Sequence, residues 1–211
     1  MSDFIISEDM LDLLREKVKG YMNEKRYVHT LGVEDACRRI GELLLPDEVN
    51  KLRAAALLHD ITKTLSSDEQ LKLCSEFGIE YGETGLSSPG LLHGHTASEL
   101  IKRDFPEFAD DKIVSAVKWH TTGRSGMTLF DGILDLADYI EDNRTYEGSS
   151  DLRSLFWDSV NNGESVYTAY LKTMVKALGI TMSFLIKYDD PIDVNTVEAR
   201  NYYLKLLSGE I

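Results

Sequence analysis

The sequence predicts an all-α protein. Three observations carry that reading. Apolar residues recur at helical spacing through nearly the whole chain. No segment keeps a strand's period of two. Pro46-Asp47, Gly78, the Gly- and Pro-containing stretch 79–92, Gly123 and Asp189-Asp190-Pro191 punctuate the periodic runs.

The first run contains Met10, Leu11, Leu13, Leu14, Val18 and Tyr21. The second, at about 24–45, stops before Pro46-Asp47. A third, at about 48–60, carries Leu52, Ala55, Ala56 and Leu58. Ser67 with Gln70 is read as a capping box, and Gly78 as the stop of that helix. Residues 79–92 hold Gly82, Gly85, Pro89 and Gly90 and read as the longest loop of the first half. Helical patterns resume at about 93–103 and 110–120, and Thr121, Thr122 and Gly123 break the second of these. A long helix is expected over about 128–142, with Leu129, Ile133, Leu136, Ala137 and Ile140 inward. Further helices are expected near 151–161, 164–187 and 196–207, with a turn at Asp189-Asp190-Pro191 before the last.

The 211 residues fit one domain, with a motif-bearing part at about 20–145 and helices at about 150–207 behind it. Hydrophobic residues make up 43%, enough for a sizeable core. The net charge of -13 argues against nucleic acid as a partner, because phosphate backbones attract basic surfaces. A small anionic substrate stays open if a metal or a few Arg and Lys meet its charge locally. Cys37 and Cys74 read as reduced, buried thiols. The acidic N-terminal segment lacks the basic and apolar regions of a signal peptide. No apolar stretch is read as long enough to span a membrane. A cytoplasmic protein is expected. A homodimer is compatible with the sequence, although no heptad pattern or exposed apolar stripe calls for one.

The chemistry concentrates on histidines and carboxylates. There are five His: His29, His59, His93, His95 and His120. His59-Asp60 closes the apolar run AAALL, where an ionisable pair is costly unless satisfied. A divalent metal would satisfy both, through imidazole nitrogen and carboxylate oxygen. The plainer reading has Asp60 capping the helix or pairing with Lys63. His29 lies one helix earlier, in RYVHTLGV. Asp138 lies in LADYIEDNR, flanked by Leu136, Ala137 and Ile140, and so needs a partner. It is preferred as a ligand over Glu141 and Asp142, which are expected to face solvent. The set suits iron, manganese, zinc or magnesium. Arg26 stands three positions before His29, Lys63 four after His59, and Arg144 six after Asp138. Their joint proximity to candidate ligands favours a role in the site. Arg124, after the Gly123 break, has less to recommend it.

The ordered motifs RYVHTLGV, LLHDITK, LLHGH, WHTTGR and LADYIEDNR resemble the YqeK family of HD-domain proteins, symmetrical bis(5'-nucleosyl)-tetraphosphatases. The likeness runs over about 20–145, with a weaker echo in DPIDVNTVEARN. It implies an HD-domain helical bundle that hydrolyses diadenosine tetraphosphate to two ADP. It implies an iron-type centre held by His29, His59, Asp60 and Asp138. Nucleotide contacts would fall on Arg26, Lys63, His93, His120, Thr121 and Arg144, with the turn Pro191 to Thr196 as a weaker extension. His59, Asp60 and Lys63 would be catalytic, and His93 with His120 are candidates for a second metal, for phosphate binding, or for protonating the leaving group. Two positions depart from the pattern. His95 stands where relatives often have an apolar residue, and Asp142 where many have Pro. Residues 146–190 match poorly. Competing readings are an HD phosphohydrolase acting on a deoxynucleotide, a guanosine alarmone or a cyclic dinucleotide, and an HD module that binds nucleotide without turnover.

Overall fold

The structure, a computed structural model, describes residues 5–211. Part of the acidic N-terminal segment read above lies outside them. Among the described residues the regular structure is helical throughout. Eleven α-helices run in the order α1 Glu8–Val18, α2 Glu24–Leu44, α3 Val49–Leu58, α4 Ser67–Phe77, α5 Glu83–Ser87, α6 His93–Asp104, α7 Asp111–Trp119, α8 Leu129–Ile140, α9 Ser149–Asn161, α10 Val166–Lys187 and α11 Val194–Ser208. Short 3-10 turns join several of them.

Local chemistry sets most boundaries. Ser7, Asn23, Ser66, Asp110, Thr128, Ser165 and Asp193 each accept a backbone N–H from the first turn of the helix that follows. α4 ends on Gly78 in the left-handed region at φ 64°. The capping box of α4 is Ser66 with Glu69, one residue before the expected pair. Gln70 is instead buried, because its amide is used inside. The expected loop at 79–92 also folds further than its Gly and Pro content suggested. It contains α5 and a 3-10 turn over Pro89–Leu92, which seat Leu92 in the interior.

α2, α3, α7 and α8 pack on one another at the centre, with α1 and α6 outside them. α9, α10 and α11 stack on the far side of α8. The core runs without a break from Leu11 and Leu14 through Leu52, Leu57, Ile101, Ile133 and Leu136 to Phe156, Met174 and Tyr203. Cys37 and Cys74 are buried free thiols, as read. By length and composition α10 is apolar enough to cross a membrane, contrary to the sequence reading. Lysines are its only charged residues, and its Tyr170, Met174, Ala177 and Leu178 are buried in the core.

One close approach matters for the site. A Cβ at Gly94 would lie 2.8 Å from the Lys118 carbonyl oxygen and 2.9 Å from that of Val117. Backbone cannot yield as a side chain can, so only glycine lets α6 press this closely on the end of α7. Gly94→Ala should destabilise the fold by about 1–3 kcal/mol, read from urea unfolding. It should also part His93 from His120, read as separate ring environments by NMR.

Candidate metal and nucleotide site

Four histidines meet in the middle of the bundle, and three of them are aimed the same way. His59 caps the end of α3, His120 caps the end of α7, and His93 opens α6. His59 donates Nδ1–H to the Ala56 carbonyl at 2.6 Å. His93 does the same to Gly90 at 2.7 Å, and His120 to Val117 at 2.7 Å. A carbonyl three residues back accepts only from N–H, so each ring carries a proton on Nδ1 and turns Nε2 inward, where it can serve as a ligand when unprotonated. His29, in the second turn of α2, has its Nδ1 beside a carboxylate instead, that of Glu141 at 3.1 Å.

The Nε2 atoms surround Asp60. Its Oδ2 lies 3.1 Å from His59 Nε2 and 3.7 Å from His29 Nε2. Its Oδ1 lies 3.2 Å from His93 Nε2 and 3.7 Å from His120 Nε2. Asp138 Oδ1 approaches His29 Nε2 at 3.0 Å and His59 Nε2 at 4.0 Å. Asp60 therefore offers one oxygen to each of two histidine pairs. His29 Nε2 and His59 Nε2 are buried without a hydrogen-bond partner. The ligand atoms of His29, His59 and Asp138 lie within 4.8 Å of one another, as do those of His59, Asp60 and His120. Orphaned ring nitrogens beside carboxylate oxygens are the donor set a divalent cation takes, so the residues present fit a metal. Beside the second group, His93 Nε2 and His120 Nε2 stand 3.0 Å apart, with Thr121 Oγ1 at 3.1 and 3.4 Å from them. Two lone pairs so close need a proton or a cation between them.

The turn that carries His59-Asp60 is not helical. α3 ends at Leu58, and residues 59–65 form successive tight turns closed by Lys63 N–H to the Asp60 carbonyl at 3.0 Å. Lys63 thus reaches the site by a turn rather than along a helix face. A buried network holds the turn in place. The Thr62 hydroxyl donates to the His93 carbonyl at 2.8 Å, Gln70 donates to the Thr62 carbonyl at 2.6 Å, and Thr96 donates to Gln70 at 2.8 Å.

Every sequence-predicted site residue comes to this place. Arg26 Nη1 donates to Asp60 Oδ2 at 2.7 Å, and Arg144 Nη1 to Asp138 Oδ1 at 2.6 Å. Lys63 Nζ lies 3.4 Å from His93 Nδ1. Arg124 does not come in; it lies over the Trp119 ring. His95 also stays outside, edge-on to Trp119 at 5.2 Å. The site opens into a cleft of about 930 Å³ whose far wall includes Tyr139, Tyr146, Thr181, Leu185, Pro191, Asp193 and Thr196.

The expectation that Glu141 faces solvent is corrected. It is 1% exposed and turned inward, because α8 ends at Ile140 and the backbone departs from helix at Glu141. Its spacing of three from Asp138 was a usable signal that the two share a face. Asp142 is exposed, as read. Arg153, in the poorly matching segment, was missed altogether. Its guanidinium donates to the carbonyls of Ile140, Glu141 and Arg144, which ties α9 to the segment bearing Glu141 and Arg144.

The electrostatics follow from burial and pairing. Burial opposes ionisation of Asp60, but His59, His120 and His93 hold it well below the usual carboxylate range. Burial likewise opposes charge on Asp138, and Arg144 with His29 overcomes it. His93 is pushed down to about 4 by burial, helped by Lys63. Burial also pushes Lys63 down. His29 goes the other way. Burial disfavours its cation, yet the adjacent carboxylates of Asp138 and Glu141 win and raise it to about 9.

A helical scaffold with a histidine-aspartate pair at a helix end, further histidines around it and cations on the rim defines a class of phosphohydrolase sites. Residues 26–143 match the HD domain family model, and the chain belongs to the HD-domain family of hydrolases. A Bacillus subtilis protein named bis(5'-nucleosyl)-tetraphosphatase, symmetrical, is 29% identical over 192 residues, covering 91% of this chain and 95% of that one. A Staphylococcus aureus protein of the same name is 27% identical, covering 92% and 94%. The crystal structure of a Clostridium acetobutylicum protein described as a predicted HD superfamily hydrolase involved in NAD metabolism is 30% identical, with a TM-score of 0.79 over 92% of this chain and 97% of that one.

A folded pKa of about 9 for His29 against 6.5 unfolded makes its contribution full below pH 6.5 and lost as pH rises through 9. In chelator-treated protein, unfolding free energy should fall from pH 7 to 9.5, by up to about 1.4 kcal/mol per pH unit from this one group. His29→Asn should remove that slope in urea titrations.

Proposed function

We propose that the protein cleaves diadenosine tetraphosphate symmetrically to two ADP. The carrying observation is the pair of orphaned Nε2 atoms facing Asp60 and Asp138 at the floor of a cleft rimmed by Arg26, Lys63 and Arg144. The names of the Bacillus subtilis and Staphylococcus aureus relatives support the choice of substrate.

His29, His59, Asp60 and Asp138 would hold a divalent cation, iron by preference, with manganese, zinc or magnesium as alternatives. Such an ion supplies a water of lowered pKa at neutral pH and a Lewis acid for phosphoryl oxygens. Asp60 would also help to orient the attacking water. Its Oδ1 reaches His93 and His120, which either hold a second cation or bind a phosphoryl group. Arg26, Lys63 and Arg144 neutralise the oxygens of the inner phosphates as charge gathers there. Thr121 donates its hydroxyl to the same chain.

The balance is simple. Water oxygen bonds to an inner phosphorus, the bond from that phosphorus to the central bridging oxygen breaks, and the bridging oxygen leaves with the second ADP. The water's protons pass to solvent or to a ring nitrogen of His120 or His93. Leaving phosphate is a weak base, so protonating it contributes little. Pro191, Asp193 and Thr196, with Tyr146 and Leu185, supply the wall against which a nucleoside packs.

The test is the product profile. Protein loaded anaerobically with iron(II) or manganese and given diadenosine tetraphosphate should yield ADP alone by chromatography. His59→Ala and Asp60→Ala should each lower turnover by at least about 10³-fold with helix content kept. ATP with AMP would sink the symmetrical reading. Turnover confined to a deoxynucleotide, guanosine alarmone or cyclic dinucleotide, run in parallel, would replace the substrate. Nucleotide bound and left intact would favour the non-catalytic module.

A further inference from the structure

We infer that Glu141 is the positioning residue of this centre, setting both the tautomer and the orientation of His29. The inference rests on the metal site proposed above. The other three histidines at the centre spend Nδ1 on a backbone carbonyl three residues earlier. His29 lies inside α2, where the carbonyls of the preceding turn are committed to the helix, so it must find its Nδ1 acceptor elsewhere. Glu141 supplies it with Oε1 at 3.1 Å.

The carboxylate is itself placed from three sides. Its Oε2 accepts the Asn143 backbone N–H at 2.6 Å. Arg153 holds the adjoining backbone through the carbonyls of Ile140 and Arg144, at 2.8 and 3.3 Å. The third side is Gly32, less than one helical turn beyond His29 on α2. A Cβ there would lie 2.2 Å from Glu141 Oε2 and 3.0 Å from Asn143 Nδ2. Only glycine leaves room for the carboxylate to lie against α2 and reach the ring.

Glu141 is not a ligand in this arrangement. It meets the ring at Nδ1, while Asp60 and Asp138 face Nε2 on the other side. Its function is to keep the proton on Nδ1 and the Nε2 lone pair on the ion. An anionic acceptor also leaves the imidazole a stronger donor than a carbonyl would, as carboxylate-histidine-metal arrangements do.

The experiment is manganese(II) binding by calorimetry on the wild type, Glu141→Gln, Glu141→Leu and Gly32→Ala, with long-range ¹H–¹⁵N NMR of the zinc-loaded proteins. Wild type should show His29 with its proton on Nδ1 and zinc on Nε2. Glu141→Leu should weaken manganese binding by about 10–100-fold, with Gln between it and the wild type. Gly32→Ala should follow Leu, although alanine is the better helix former and the charge of Glu141 is retained. A merely structural role would lower melting temperature and leave affinity and tautomer as they are. Equal manganese affinity and an unchanged His29 spectrum in folded variants would overturn the assignment while leaving the metal centre intact. Wild-type protein that takes up neither manganese, zinc nor iron(II) would overturn the centre, and the assignment with it. If the Glu141 variants do not fold, Gly32→Ala alone decides.

Discussion

The hydrogen bond from a histidine Nδ1–H to a carbonyl at the end of a helix is the interaction on which the centre depends. It occurs at His59, His93 and His120, each next to a helix terminus where backbone carbonyls are not all used within the helix. It fixes the tautomer, turns Nε2 inward and costs no extra side chain. Three helices that end or begin at one point thereby turn three Nε2 atoms toward one carboxylate. The carboxylate of Asp60 then has an oxygen for each side of the group.

Burying Asp60, Asp138 and three imidazoles in an apolar bundle would be prohibitive for isolated groups. Here each charge has an answer. Arg26 meets Asp60, Arg144 meets Asp138, and the histidines share what is left. The same guanidiniums stand where phosphoryl oxygens would arrive, so one set of cations serves both the free protein and a bound polyanion. This local arrangement is how a chain of net charge -13 can receive an anionic substrate. The cost of desolvation falls on the groups with no such partner. Asp135, one turn before Asp138 with a buried Oδ2 that finds no hydrogen bond, is pushed well above the usual carboxylate range by burial.

The helices beyond residue 145 contribute in two ways. α9 sends Arg153 to the carbonyls that close α8, which steadies the segment carrying Glu141 and Arg144. α10 and the start of α11 build the far wall of the cleft, where Tyr139 and Thr181 share a hydrogen bond at 2.9 Å. None of these residues carries a metal-ligand signature. Their contribution is a position, and position is set by how α9 and α10 lie on α8.

The sequence by itself determined the helical class and nearly all helix boundaries, and it singled out many, though not all, of the residues gathered at the centre: Glu141 was expected outside and Arg153 was missed. Those features are local: periodicity, caps and a His-Asp pair stranded behind an apolar run are legible one segment at a time. The misplaced capping box, the helix hidden in 79–92 and the apolar length of α10 were errors of local reading, each within a few residues of a correct one. Only the tertiary structure decided how the pieces divide their work. It gave Asp60 an oxygen for each histidine pair, brought Arg26 and Arg144 onto the carboxylates of Asp60 and Asp138, and turned Glu141 inward against Gly32. These are contacts between residues far apart in the chain, such as His29 and Glu141. No periodicity along one helix records which glycine will face which carboxylate on another.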